Sequence, residues 1–334
     1  MFGFYKTNEI KDTNANRDRE KFPTLQSGDY QKYFSSIENY LSDNFILRYK
    51  YIGTINYVKH YVFNFSNANK KVIYGKDGWM FLNACIHTDL GMDEYFGLNP
   101  WTARQTQNAV RNLSTVKMWC DKNNILFIPI ICPSKHSVYN DKLPGMNTKY
   151  QNNRYDNLML AAPALINLKE VLITQKSKML HPLYYKTDTH WNALGSYFAV
   201  IEISKVLHKK YSDSPILGLN DILITQTTSN VGKDLANMVV LKSKVEEINV
   251  EITLKKQIKN KINRVYIIHD SFYDFMDPEM KLLFNEVQTR GIYQSRLSTK
   301  ELLKNKPDVF IYEIVERYLD ELNDLDKILV IDGH

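Results

Sequence analysis

Residues 125–132 read Ile-Leu-Phe-Ile-Pro-Ile-Ile-Cys, and this is the most continuous apolar stretch of the chain. An apolar run of this length is typical of a strand that is buried on both faces. It follows a helical pattern that we expect to begin at Asn99-Pro100, with Asn at the N-cap and Pro at the first helical position, and to end near Lys122. A helix that leads directly into a buried strand predicts a parallel α/β construction.

The same alternation continues toward the C-terminus. Residues 192–211 carry a helical pattern, and the apolar segments 264–268 and 308–314 predict two more buried strands. Residues 222–254 are β-rich, and we expect them to form an insertion or a lid. The C-terminal two thirds of the chain therefore predict one α/β unit.

The N-terminal part carries two further patterns. In residues 71–82, two apolar runs flank Gly75-Lys-Asp-Gly78, which predicts a β-hairpin. Apolar residues at helical spacing over 29–65 predict one or two amphipathic helices. We expect a single domain, with an N-terminal arm and helices over 1–70 that pack on a core over 71–334.

Composition narrows the class of protein. The chain has 334 residues, of which 44% are hydrophobic and 24% charged, as in an ordinary soluble globular protein. The net charge of +6 is spread along the chain, so we expect a solvated surface and no nucleic-acid partner. The three cysteines show no metal-ligand spacing, which predicts neither a zinc site nor a disulfide framework. No apolar run approaches the roughly 20 residues of a spanning helix.

The sharpest chemical feature is Asp188-Thr-His190-Trp-Asn, which stands just before a predicted helix. An Asp two residues from a His can accept the imidazole Nδ1–H and leave Nε2 free to act as a general base. The alternative is structural, with Asp188 or Thr189 as a helix N-cap and His190 packed under Trp191. The sequence leaves both interpretations open.

A second feature is Ser271, which follows the predicted strand over 264–268. The carboxyl end of a parallel strand is where α/β proteins place their sites. A serine there can act as a nucleophile if a base such as His190 activates it, and its backbone N–H can face an oxyanion. The alternative is an ordinary cap in a strand–helix turn.

Together these motifs resemble the AlgX/AlgJ family, the SGNH-hydrolase-like acetyltransferases of bacterial exopolysaccharide machinery. The resemblance covers nearly the whole chain in the family's order. The matching segments are Asn16-Arg17 with Pro23, and residues 75–81, 133–139, 187–191, 232–236 and 269–272, followed by Pro307-Asp308, Glu313 and Glu316-Arg317.

The resemblance implies that Ser271 is the nucleophile, His190 the base and Asp188 the residue that orients it. The Asp-x-His block precedes the serine here, whereas the corresponding block follows it in ordinary SGNH hydrolases. The implied fold is therefore an SGNH-hydrolase-like three-layer α/β fold with a mostly parallel sheet, a circularly permuted motif order, a helical N-terminal arm and a β-rich insertion.

Several residues are candidate substrate contacts. Lys135 is expected to contact the oxyanion or the polymer, the alternative being a solvated surface lysine. Trp191 either stacks on a sugar ring or belongs to the core. His269 replaces the family's glycine and is expected to alter the oxyanion geometry, to add a ligand contact or to do neither. Tyr139 and Arg296 complete the set.

The function implied by the resemblance is O-acetylation of a bacterial exopolysaccharide or cell-wall polysaccharide through a Ser271 acetyl-enzyme. It also implies a membrane-bound O-acyltransferase as acetyl donor and an extracytoplasmic, periplasmic or cell-surface location, possible only if a leader or anchor has been trimmed from the chain. A full-length chain would instead be cytoplasmic. Two alternatives remain open, an acetylesterase of the same polymer and a catalytically silent polysaccharide-binding scaffold. No cofactor or metal is expected.

Overall fold

A computed structural model describes residues 22–24, scattered positions between 33 and 58, residues 71–83, 95, 97–143 and 153–331. The strands are β1 (Val72–Tyr74), β2 (Met80–Leu82), β3 (Leu126–Cys132), β4 (Ile222–Ser229), β5 (Glu247–Leu254), β6 (Ile262–His269), β7 (Phe284–Gly291) and β8 (Val309–Val315). From residue 97 onward, the α-helices of the described residues are α1 (Ala103–Lys122), α2 (Lys135–Val138), α3 (Arg154–Ala161), α4 (Leu168–Lys176), α5 (Ala193–Lys210), α6 (Asp234–Met238), α7 (Asp277–Leu283), α8 (Thr299–Lys304) and α9 (Leu325–Ile328).

A four-stranded sheet in the order β3-β8-β6-β7 forms the centre of the molecule. Every neighbouring pair in it is parallel, with Leu126 opposite Val309, and Val265 also opposite Val309. Every residue of β8 is buried, Glu313 included, as expected of a central strand covered on both faces. The expected parallel α/β fold is confirmed.

Helices surround this sheet in two groups. The first is α1 with α3, α9 and the 3₁₀ segment Glu316–Asn323, and the second is α5 with α4 and α7. One large apolar core joins the sheet to both groups, in keeping with the expected three-layer arrangement.

Helix α1 begins three residues later than the sequence pattern predicts. Its N-cap is Thr102, and neither Asn99 nor Pro100 belongs to the helix. The Thr102 side chain accepts a hydrogen bond from the Gln105 N–H at 3.3 Å, and the Gln105 side chain accepts one from the Thr102 N–H at 2.9 Å. This reciprocal capping box satisfies two helix-end donors, whereas Asn99 at the predicted N-cap satisfies none of them. The prediction that α1 begins at Asn99-Pro100 was wrong.

The predicted hairpin and the β-rich insertion are both present. β1 and β2 pair antiparallel around the turn at Lys76–Gly78, and β4 pairs antiparallel with β5 around α6. The two units share a small second core, which includes Val72 and Met80 from the hairpin and Leu235 from α6. The hairpin and the insertion therefore form one body beside the main sheet.

The predicted N-terminal arm over residues 1–70 lies almost entirely outside the described residues. Within the described ranges, no helix has the length and apolar character that crossing a membrane requires. Division of the chain at residue 70 stays a prediction.

Candidate active site

The turn after β6 presents Ser271 to solvent. β6 ends at His269, and Asp270 and Ser271 follow at the carboxyl edge of the parallel sheet. The buried Asp270 carboxylate accepts hydrogen bonds from the Phe272 N–H at 2.8 Å and from the Val315 N–H at 2.6 Å. The first bond stabilises the turn itself, and the second fixes the turn to the end of β8. Among the described residues none accepts a hydrogen bond from the Ser271 N–H, so this donor is available to a ligand.

Two more buried polar side chains lie beneath this turn. Glu313 accepts a hydrogen bond from the Asp270 N–H at 3.1 Å and one from the Cys132 thiol at 2.9 Å. Burial, followed by the Asp270 charge, holds the pKa of Glu313 well above its ordinary value. A protonated Glu313 can support the turn without adding a second buried negative charge next to Asp270.

The segment that carries the imidazole is here called the His190 loop (residues 184–192). It is closed by a β-bridge between Tyr184 and Trp191. Asn192 is the N-cap of α5, so the structural alternative that made Asp188 or Thr189 the cap is wrong. The Asp188 carboxylate instead accepts hydrogen bonds from the His190 N–H at 3.1 Å and from the His190 Nδ1 at 2.7 Å.

The structure brings Asp188, His190 and Ser271 together. With its Nδ1–H donated to Asp188, His190 presents Nε2 to the Ser271 hydroxyl at 2.8 Å. Burial acts to raise the pKa of Asp188, but the hydrogen bond and charge of His190 outweigh it, and the pKa lies below its ordinary value. An ionised Asp188 is what fixing the imidazole tautomer requires. The arrangement can transfer a proton between Ser271 and His190.

Lys135 is buried and holds the backbone of the His190 loop. It is 3% exposed, and its ammonium donates hydrogen bonds to the carbonyl oxygens of Tyr185 at 3.1 Å, Lys186 at 3.0 Å and Asp188 at 2.5 Å. Since an ammonium has three donors, all are used within the His190 loop. Both the predicted contact with oxyanion or polymer and the solvated alternative were wrong.

Trp191 and Tyr139 are also core residues. Trp191 is 0% exposed and donates its indole N–H to the Phe272 carbonyl at 3.0 Å, so it cannot stack on a sugar. The Tyr139 ring stacks on Trp79 at 4.1 Å, and its hydroxyl accepts a hydrogen bond from the Leu183 N–H. For Trp191 the core alternative is confirmed, and the assignment of Tyr139 to substrate contact was wrong.

The last two candidates lie at the carboxyl edge of the sheet. The exposed Arg296 guanidinium forms ion pairs with Asp324 at 3.1 Å and Asp326 at 3.0 Å, which leaves its charge largely neutralised. His269 is half-buried, with its ring 4.5 Å from that of Tyr273 and Nδ1 2.7 Å from the Asp270 carbonyl. A ligand contact by His269 stays a prediction. The substrate contact expected of Arg296 also stays a prediction, and its ion pairs give it no support.

Two residues that the sequence did not single out also lie at the site. Phe275 is half-buried and its ring centroid is 5.1 Å from that of His190. Asp234 of α6 accepts hydrogen bonds from the N–H of Thr189 at 3.1 Å and from its hydroxyl at 3.2 Å. The Gly232-Lys-Asp-Leu motif was the available signal for Asp234, whereas no motif marked Phe275.

Asp188, His190 and Asp234 each offer one atom within 4.8 Å of the others. However, a hydrogen bond of 2.7 Å already joins His190 Nδ1 to Asp188 Oδ1. A cation on Nδ1 would have to replace this bond, and one on Nε2 would have to replace the contact with Ser271, so the geometry fits an oriented base better than a set of metal ligands.

Comparison with known proteins agrees with this picture. Residues 72–270 match the family model described as the SGNH hydrolase-like domain of the acetyltransferase AlgX, which is more than half of the chain. The match contains Asp188 and His190 and ends immediately before Ser271. A search of curated proteins gave no match.

Two solved structures resemble this chain at low sequence identity. Bacillus cereus PatB1 is 15% identical with a TM-score of 0.55, over 75% of this chain and 97% of its own. The O-acetyltransferase domain of Pseudomonas putida AlgJ is 20% identical with a TM-score of 0.49, over 76% of this chain and 94% of its own. The family match, together with the fold, leads to one conclusion: the chain belongs to the AlgX family of SGNH hydrolase-like acetyltransferase domains.

Proposed function

We propose that the protein is a polysaccharide O-acetyltransferase that works through an acetyl-enzyme on Ser271. The observation that carries this proposal is the 2.8 Å approach of His190 Nε2 to Ser271 Oγ, with Asp188 at 2.7 Å from Nδ1, in a chain of this family. A serine hydroxyl is a weak nucleophile and needs such a base.

In the first step, Ser271 Oγ attacks the acetyl carbonyl of the donor while its proton passes to His190 Nε2. The tetrahedral oxyanion then collapses, the bond to the leaving group breaks, and His190 returns the proton to that group. The Ser271 N–H is one donor available to the oxyanion. In the second step, an acceptor hydroxyl gives its proton to His190 and attacks the acetyl ester, which releases Ser271 with its proton restored.

The acceptor is proposed to be a sugar of a bacterial exopolysaccharide or cell-wall polysaccharide. The support is family membership together with a half-buried aromatic side chain, Phe275, beside the base. Phe275 lies 5.1 Å from His190 and 5.7 Å from Tyr185, between ring centroids. The half-buried Phe275 ring can pack against the apolar face of a sugar, a role that the buried Trp191 cannot fill.

The same family membership supports an extracytoplasmic location and a membrane-bound O-acyltransferase that supplies the acetyl group. Both belong to the proposal. They agree with the chemistry, since a serine ester can be loaded from any activated acetyl donor that reaches the exposed Ser271.

Intact-mass spectrometry after incubation with an activated acetyl ester tests the nucleophile. We expect wild type and Ser243→Ala, which changes an exposed serine of the insertion, to gain the mass of one acetyl group. Ser271→Ala should gain none, and His190→Ala should load at least about 100-fold more slowly. Ester turnover is measured in the same samples, because fast hydrolysis can remove the adduct before it is detected.

Acceptor oligosaccharides then separate the possible activities. Acetyl transfer at the expense of hydrolysis supports the transferase. If the rate of ester hydrolysis is the same with and without acceptor oligosaccharides, and no acetyl group is transferred, the result supports an acetylesterase instead. Equal behaviour of wild type and Ser271→Ala, with neither adduct nor turnover, would contradict catalysis from simple donors and favour the scaffold.

A further inference from the structure

Several hydrogen bonds join the insertion to the His190 loop. The N–H groups of Leu235 and Lys233 donate to the Thr187 carbonyl at 3.0 Å and to the Thr187 hydroxyl at 2.8 Å. The buried Glu247 carboxylate accepts the N–H groups of Lys186 at 2.9 Å and Thr187 at 2.8 Å. The position of the base therefore depends on residues about 45 to 60 positions later in the chain.

We propose that Asp234 of this insertion is a positioning residue for His190. It aims the Thr189 hydroxyl at the imidazole and places a second carboxylate beside Asp188. The inference rests on the proposed function, because it concerns how His190 acts as the base for Ser271.

Asp234 is connected to the His190 imidazole through the Thr189 hydroxyl. Asp234 Oδ2 accepts the Thr189 hydroxyl proton at 3.2 Å, which turns a lone pair of that hydroxyl toward His190 Nδ1, also 3.2 Å away. Asp234 Oδ1 accepts the Thr189 N–H at 3.1 Å and the Leu235 N–H at 2.6 Å. Nδ1–H thus faces Asp188 as its main acceptor and the Thr189 hydroxyl as a second one.

The charges around Asp234 favour an effect on the base. The charged groups that face Asp234 are Asp188, His190 and Lys135. Glu247 in turn faces Lys135, and Asp270, next to Ser271, faces His190. Burial, and then the Asp188 charge, raise the pKa of Asp234 to about 6. Above that pH a second negative charge stands within 4.8 Å of the imidazole and stabilises the imidazolium formed when Ser271 gives up its proton.

The direct test is an NMR titration of the His190 side chain, assigned with His190→Ala, in wild type and Asp234→Asn. The Asn side chain keeps the shape and the Oδ1 acceptor while it removes the charge. We expect the midpoint of the His190 titration to move to lower pH by about one unit in Asp234→Asn. Glu246→Gln removes an exposed charge of the same insertion and should leave the midpoint in place.

Thr189→Val, which removes only the connecting hydroxyl, should give a smaller shift of the same sign. Coincident His190 titrations in wild type and Asp234→Asn would overturn the proposal. This readout does not require turnover, so it stays informative even if Ser271 proves not to be a nucleophile. If the protein turns over the ester, the acid limb of its pH–rate profile should move with the His190 titration. At neutral pH the rate of Asp234→Asn should be about three- to tenfold below that of wild type.

Discussion

At the scale of single residues, Lys135 shows why a charged side chain near an active site need not contact the substrate. Its ammonium is buried over the rings of Trp79 at 5.7 Å and Phe81 at 5.3 Å, while its three donors hold carbonyls of the His190 loop. Burial lowers the pKa of Lys135 to about 8, so it is still mostly charged at neutral pH. A hydrogen bond from a charged donor is among the stronger ones in a protein.

Lys135→Met should therefore leave the loop carbonyls without donors and loosen the position of His190. We expect the free energy of unfolding to fall by about 2–4 kcal/mol, and kcat to fall at least about tenfold with a smaller change in KM. Urea unfolding and steady-state ester turnover measure the two effects. The exposed Lys117→Met should behave like wild type, and a Lys135→Met protein with unchanged stability would contradict this role.

At the scale of secondary-structure elements, the start of α5 is packed directly against the His190 loop. The Asn192 side chain accepts hydrogen bonds from the N–H groups of Leu194 at 3.0 Å and Gly195 at 3.1 Å. A Cβ atom on Gly195 would lie 2.1 Å from the Leu183 carbonyl oxygen and 2.9 Å from the Trp191 Cβ. Only glycine lets the helix approach the loop this closely.

Gly195→Ala is thus expected to reverse the usual sign of such a change. In an open helix interior the substitution gains about 1 kcal/mol, but here backbone must move, and we expect a loss of at least about 3 kcal/mol. Thermal or urea unfolding measures it. Gly218→Ala is the control, since its Cβ would meet nothing closer than the Asp221 carboxylate at 4.0 Å. Wild-type stability in Gly195→Ala would show that the loop and helix separate easily.

At the scale of the whole molecule, buried titratable groups give stability two opposed dependences on pH. Burial raises the pKa of Glu279 to about 7 and, with the Asp188 charge, that of Asp234 to about 6. The folded state binds these protons more tightly than the unfolded state, so both groups lower stability as pH rises from about 4 to 7. Burial lowers the pKa of His136 to about 3, helped by the charges of Arg317 and Lys135. The unfolded state gains that proton first, so His136 lowers stability as pH falls from about 6.5 toward 3.

The variant His136→Gln isolates the second effect. Between pH 7 and pH 4.5 we expect the wild type to lose about 2–3 kcal/mol more stability than the variant, because glutamine does not titrate. Urea unfolding at the two pH values measures the difference. Equal losses in the two proteins would mean that His136 takes up its proton as readily in the folded state.

Short-range patterns determined the elements of this fold. The apolar run before Pro133 became β3, the run before His269 became β6, and the pattern after Asn192 became α5, since hydrophobic periodicity and caps act within a few residues. The prediction of where α1 begins failed because two possible N-cap residues, Asn99 and Thr102, lie three residues apart. Only Thr102 has a reciprocal capping partner.

Local patterns were enough to predict the α/β class, the hairpin, the insertion and the residue types of the candidate triad. That His190 meets Ser271, 81 residues away, and that Asp234 lies beside His190 became known from the folded chain alone. The folded chain also moved Lys135, Tyr139 and Trp191 from the substrate to the core. The physical reason is that the role of a polar or aromatic side chain depends on its burial and on partners distant in the chain, which no local pattern specifies.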